Sequence, residues 1–72
     1  MITREFLASL PFRPFQKTDY YGFSGVESPV PLIAETDEFL AIIDGQYCEV
    51  YTTEDLENCT EPSYQCEDIR LL

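Results

Sequence analysis

Residues 39 to 52, FLAIIDGQYCEVYT, constrain this chain more than any other stretch. Two runs rich in β-branched and aromatic residues flank Asp44-Gly45, a pair favoured in two-residue hairpin turns because both residues tolerate positive φ. A turn there sets Ile43 against Gln46, Ala41 against Cys48 and Phe39 against Val50. One face of the hairpin then presents Phe39, Ala41, Ile43, Cys48 and Val50, which reads as a core face. The other presents Leu40, Ile42, Tyr47 and Tyr51, with Glu38 and Glu49 among them. An antiparallel sheet ordinarily buries one face and wets the other. Here both are apolar, so the second face needs a cover, supplied either by this chain or by a partner.

The flanking segments offer candidate covers. Thr3 is placed to cap a short helix with Glu5 in its first turn, and Phe6, Leu7 and Leu10 form one apolar stripe before Pro11 ends it. PFRPF, residues 11 to 15, alternates proline with aromatic and reads as an extended strap whose Phe12 and Phe15 fill a small core. DYYGFSG, residues 19 to 25, reads as a short or bulged strand, ESPVP as an extended connector and PLIAE as the next strand, with ETDE turning the chain into Phe39. After the hairpin, TTEDLENC opens with a threonine cap and acidic residues suited to a helix N-terminus, which predicts one or two helical turns near 53–59. TEPSYQCED reads as a loop, and IRLL as an edge strand blunted by Arg70. The expected fold is a single small α+β domain over 1–72: a three- to four-stranded antiparallel sheet centred on the 39–52 hairpin, a short N-terminal helix and a helical turn.

A chain of 72 residues buries only about 60% of the surface its unfolded form exposes, so the core is small. Five Phe and five Tyr separate it from a disordered acidic tail. Fourteen carboxylates against four basic residues give a formal charge of −10, and from Thr18 to Ile69 there are thirteen Asp and Glu with no Lys or Arg. That block repels nucleic acid and anionic membrane and attracts basic surfaces. The first residues carry no signal-peptide pattern and no stretch approaches a membrane span, so a soluble cytoplasmic protein is expected.

Catalytic and cofactor readings find little support. Cys48, Cys59 and Cys66 lack C-x-x-C spacing and there is no His, so no metal site and no cofactor are expected. Cys48 reads as a small core residue, and a Cys59–Cys66 disulfide, although sterically open, would be foreign to a reducing cytosol. The adjacent carboxylate pairs have no pocket to separate their pKa values, so no enzyme is expected.

Two binding readings remain. In the first the chain is a protein-interaction module, of the sort phages and mobile elements use as accessory proteins, contacting a protein partner or a second copy of itself. Its contact residues would be Leu40, Ile42, Tyr47 and Tyr51, with Glu49, Glu54, Asp55 and Glu57 at the rim. In the second, a ridge of Glu54, Asp55, Glu57, Glu61, Glu67 and Asp68 mimics nucleic-acid phosphates and fills the basic groove of a nucleic-acid-binding enzyme. Against both stands the reading in which the N-terminal helix or the PFRPF strap simply covers the second face.

Overall fold

In the computed structural model, which describes residues 2–16 and 30–72, five antiparallel strands form one open sheet in the order β1-β2-β3-β4-β5. The strands are β1 (Arg13–Pro14), β2 (Leu32–Glu35), β3 (Phe39–Asp44), β4 (Tyr47–Thr52) and β5 (Tyr64–Cys66). Helix α1 (Arg4–Ala8) precedes them, α2 (Thr53–Asn58) follows β4 directly, and a 3₁₀ turn at Ile69–Leu71 closes the chain. The DYYGFSG strand and the first part of the ESPVP connector lie outside the described residues.

The local signals act as their chemistry dictates. The Thr3 hydroxyl accepts from the Phe6 N–H at 3.0 Å and starts α1, a helix of five residues and far too short to persist alone. Docking keeps it: Phe6, Leu7 and Leu10 pack on the first face of the sheet, and the Phe6 ring meets Phe39 edge-on with centroids 5.3 Å apart. In the β2–β3 connection the Thr36 hydroxyl accepts from the Phe39 N–H at 3.0 Å while the Thr36 N–H donates to the Phe39 carbonyl at 2.9 Å.

PFRPF does more than strap the core. Arg13–Pro14 pairs with Leu32–Ile33 as an edge strand, the position in a sheet where proline's missing N–H does no damage. Phe12 and Phe15 are three residues apart, and along extended backbone an odd spacing sends side chains to opposite faces. Phe12 packs against the first face with Ile2, Ala34, Ala41, Cys48 and Val50. Phe15, its N–H donating to the Pro31 carbonyl at 2.8 Å, is buried on the second face with Ile33, Leu40 and Ile42. The strap therefore serves both faces of the hairpin, and the apolar centre of the second face is covered from within the chain.

Three expectations need correction. The turn lies one position further along: Asp44 ends β3 opposite Tyr47, leaving Gly45 and Gln46 at the centre. Of these only Gly45 has positive φ, +65°, the pattern of a type II′ turn, which takes glycine first and spares Asp44 a left-handed backbone. Each cross-strand partner shifts by two residues, so Ile43 faces Cys48 and Ala41 faces Val50, and the division into faces survives because two is the side-chain period. Next, IRLL is no strand. The Asp68 carboxylate accepts from the Arg70 N–H at 3.0 Å and from its guanidinium at 2.9 and 2.7 Å, which curls the segment, and the Ile69 N–H donates to the Gln46 carbonyl at 2.8 Å. Last, the edge strand beside β4 is Tyr64–Cys66, inside the stretch read as a loop, and with β1 at the other edge it brings the described strands to five.

Two outcomes follow for stability. Gly45→Val should cost ~1–2 kcal/mol in urea unfolding although a Cβ at Gly45 would meet nothing within 4 Å, because the strain is in the backbone; Gln46→Val should cost clearly less, and equal losses would mean that the turn does not use the glycine. Ile42 is 2% exposed against Phe15 and Ile33, so Ile42→Ala should unfold the isolated chain more easily by ~2–5 kcal/mol. A near-neutral Ile42→Ala would mean that the strap leaves this face open.

Candidate functional site

With Leu40 at 3% and Ile42 at 2% exposure, the aromatic part of the second face that still reaches solvent is its β4 strip. Tyr47, Glu49 and Tyr51 alternate along β4 and so project from one face, all half-buried. The Tyr47 hydroxyl donates to one Glu49 carboxylate oxygen and the Tyr51 hydroxyl to the other, both at 3.2 Å. A carboxylate is thus held between two phenols over an apolar floor. Burial pushes the phenol pKa of Tyr47 upward, with the Glu49 charge and hydrogen bond adding to it, and Tyr51 is shifted the same way by the same causes. Both phenols stay neutral donors across the physiological range.

The surroundings extend this strip in two directions. Across β3 and β5, Asp44 stands opposite Tyr47 and Gln65 opposite Glu49, so polar groups flank it. Toward α2, Tyr51 and Leu40 form one wall of an open cleft of about 360 Å³ completed by Asp55, Leu56, Cys59 and Thr60. Leu56 is exposed at the lip of this cleft.

The remaining carboxylates divide by what they bond. Asp55, placed by sequence at the binding rim, is an internal tie. It accepts from the Thr52 N–H at 2.9 Å while the Thr52 hydroxyl accepts from the Asp55 N–H at 3.2 Å, a reciprocal cap on α2. The same carboxylate accepts from the Ser63 hydroxyl at 2.6 Å, the Ser63 N–H at 3.0 Å and the Thr60 hydroxyl at 3.2 Å. These bonds, Ser63 first and Thr52 next, hold its carboxyl down at about 2. Asp68 is likewise lowered by its bonds to Arg70. Glu54, Glu57, Glu61 and Glu67 are exposed. The six-residue ridge is therefore four solvent-facing glutamates interrupted by two aspartates engaged in the fold.

Among the described residues no group of three or more His, Cys, Asp or Glu side chains is arranged to hold a metal ion, and no helix is long and apolar enough to cross a membrane. The Ser63 and Thr60 partners of Asp55 escape sequence reasoning, because they lie eight and five residues beyond it and only the turn after α2 brings them back. No protein-family model, curated protein or solved structure matches this chain.

Acid should expose the Asp55 tie. Its folded pKa lies below the ordinary 3.8, so the stability it contributes is fully present above that value and is lost as pH falls toward about 2. The melting temperature should therefore decline from about pH 5 down to pH 2, and Asp55→Asn should lower it at neutral pH while flattening that decline. Parallel acid profiles for the two proteins would show that the carboxylate carries no linkage.

Proposed function

We propose that this chain is a protein-interaction module whose β4 strip, Tyr47, Glu49 and Tyr51, receives a basic surface of another protein. The observation that carries this reading is the Glu49 carboxylate held half-buried between two tyrosine hydroxyls. Each carboxylate oxygen has two acceptor sites and the phenols use one apiece, so Glu49 keeps capacity for a cation. Tyrosine rings on either side supply rigid area at low entropic cost and faces on which a guanidinium or ammonium rests. The field favours the same sign, since thirteen carboxylates between residues 18 and 69 face no Lys or Arg of that stretch. The adjoining cleft beside Leu56 offers an apolar side chain a place next to the cation.

The acidic ridge supports a second reading, the nucleic-acid mimic, through the exposed Glu54, Glu57, Glu61 and Glu67. One set of variants separates the two. For a partner captured from host cells and purified, Glu49→Gln and Tyr47→Ala should each weaken binding about tenfold or more while circular dichroism stays unchanged, and affinity should fall between about 50 and 500 mM salt. A mimic would instead be indifferent to Tyr47→Ala, lose binding when Glu54 and Glu57 become Gln together, and be displaced by nucleic acid. A partner insensitive to salt and to every one of these changes would leave both surfaces as solvated exterior.

A further inference from the structure

The pairing of β4 with β5 places two thiols in direct register: Cys48 is opposite Cys66. Both belong to the first face, where Cys66 packs against the cluster that contains Cys48. Residues directly opposed in an antiparallel pair have Cα atoms ~4.5–5.5 Å apart, inside the ~4.4–6.8 Å range over which a disulfide closes without moving the backbone. Both sulfurs are free thiols in the structure. Cys59, the third, ends α2 in a left-handed conformation with φ 54° and is exposed, with no strand partner.

We propose that Cys48 and Cys66 form an oxidation-sensitive lock, an intramolecular disulfide that fastens the edge strand β5 to β4. The order of events follows from access. Cys66 is partly exposed and Cys48 fully buried, so a small-molecule disulfide such as oxidised glutathione meets Cys66 first. The Cys66 thiolate attacks one sulfur of that disulfide, giving a mixed disulfide and releasing one glutathione thiolate. The Cys48 thiolate then attacks the Cys66 sulfur, the Cys48–Cys66 bond forms and the second glutathione thiolate leaves. The two cysteine protons pass through water to the two released thiolates. Two protein thiols are oxidised by two electrons and one glutathione disulfide is reduced to two thiols. Burial first, then the charges of Cys66 and Glu49, push the Cys48 thiol up to about 11, which makes Cys48 the slow partner that resolves the mixed disulfide rather than the one that meets the oxidant first. The lock is independent of the binding strip, because Glu49 and both tyrosines project from the other face.

The experiment uses the Cys59→Gly chain, in which glycine suits the left-handed position and the third thiol is gone. Native protein is incubated with oxidised glutathione, unreacted thiols are alkylated, and a glutamate-specific protease is applied. Cuts after Glu49 and Glu61 separate Cys48 from Cys66. The expected products are an intact mass lower by two hydrogens, a cross-linked pair of peptides carrying Cys48 and Cys66, and a melting temperature raised on the order of 10 °C that dithiothreitol reverses. Cys66→Ser with the same treatment should show no rise. Glutathione retained on Cys66 without a cross-link, or an equal rise in the Cys66→Ser protein, would overturn the proposal. So would a Cys59–Cys66 link as the main product when the chain with all three cysteines is oxidised.

Discussion

The described structure depends on a central strand that is dry on both sides. Ala41 and Ile42 are neighbours in β3, point to opposite faces, and are 0% and 2% exposed. Among the described residues the sheet has no second sheet and no long helix to stack on, so its faces are closed by short helical turns and extended chain. The first is closed by Phe6, Leu7, Leu10 and Phe12 from the N-terminal side and by Ile69 and Leu72 from the C-terminal side. The second is closed by Phe15. Small residues at Ala34, Ala41 and Cys48 allow those covers to come close, and the burial they permit is what holds a five-residue helix that would melt in isolation.

A second dependency runs through Asp55. The strand β4 passes into α2 without a loop, and the helix would lead the chain away from the sheet. Asp55 reaches back to cap the helix at Thr52 and forward to Ser63 and Thr60, so one carboxylate folds both the start of α2 and the return after it. That return lays Tyr64–Cys66 along the outer edge of β4. The edge strand, and with it the register of Cys48 and Cys66, is a consequence of where this side chain puts its hydrogen bonds.

How much of this was legible depends on how local the causes are. The Thr3 cap, the Thr52 cap, the 39–52 hairpin and its two faces are written in residues close to one another, and each could be read directly. The turn position missed by one because Asp44-Gly45 and Gly45-Gln46 satisfy hairpin chemistry almost equally well, and only the cross-strand pairing selects between them. β5 is hard to read for a different reason: SYQCED alternates only Tyr64 and Cys66 with polar neighbours, too short a pattern to mark a strand, and its strand conformation is imposed by the unpaired edge of β4 and the bonds from Asp55. The candidate site was half legible. Tyr47, Glu49 and Tyr51 were found by alternation, but the burial of Leu40 and Ile42 follows from Phe15, twenty-five or more residues away, whose face is set by an odd spacing from Phe12.

Charge is spread unevenly between the margins of the sheet and its centre. Of the basic residues described, Arg4 donates to the Leu72 carbonyl, Arg13 lies 3.7 Å from Glu35 and Arg70 is held by Asp68, so each works locally to close an end or an edge of the sheet. These contacts neutralise the field at the sheet's margins and leave the surplus of carboxylates along β4 and α2 uncompensated. Such a surplus opposes the compact state through self-repulsion, modestly at physiological salt because the Debye length is about 8 Å. Anything cationic that binds the folded chain relieves this repulsion as well as making its own contacts, and by mass action stabilises the fold with the logarithm of its concentration relative to Kd. On the proposed reading the acidic excess would act on stability and on recognition alike, with a basic surface as the complement that the folded chain lacks within itself.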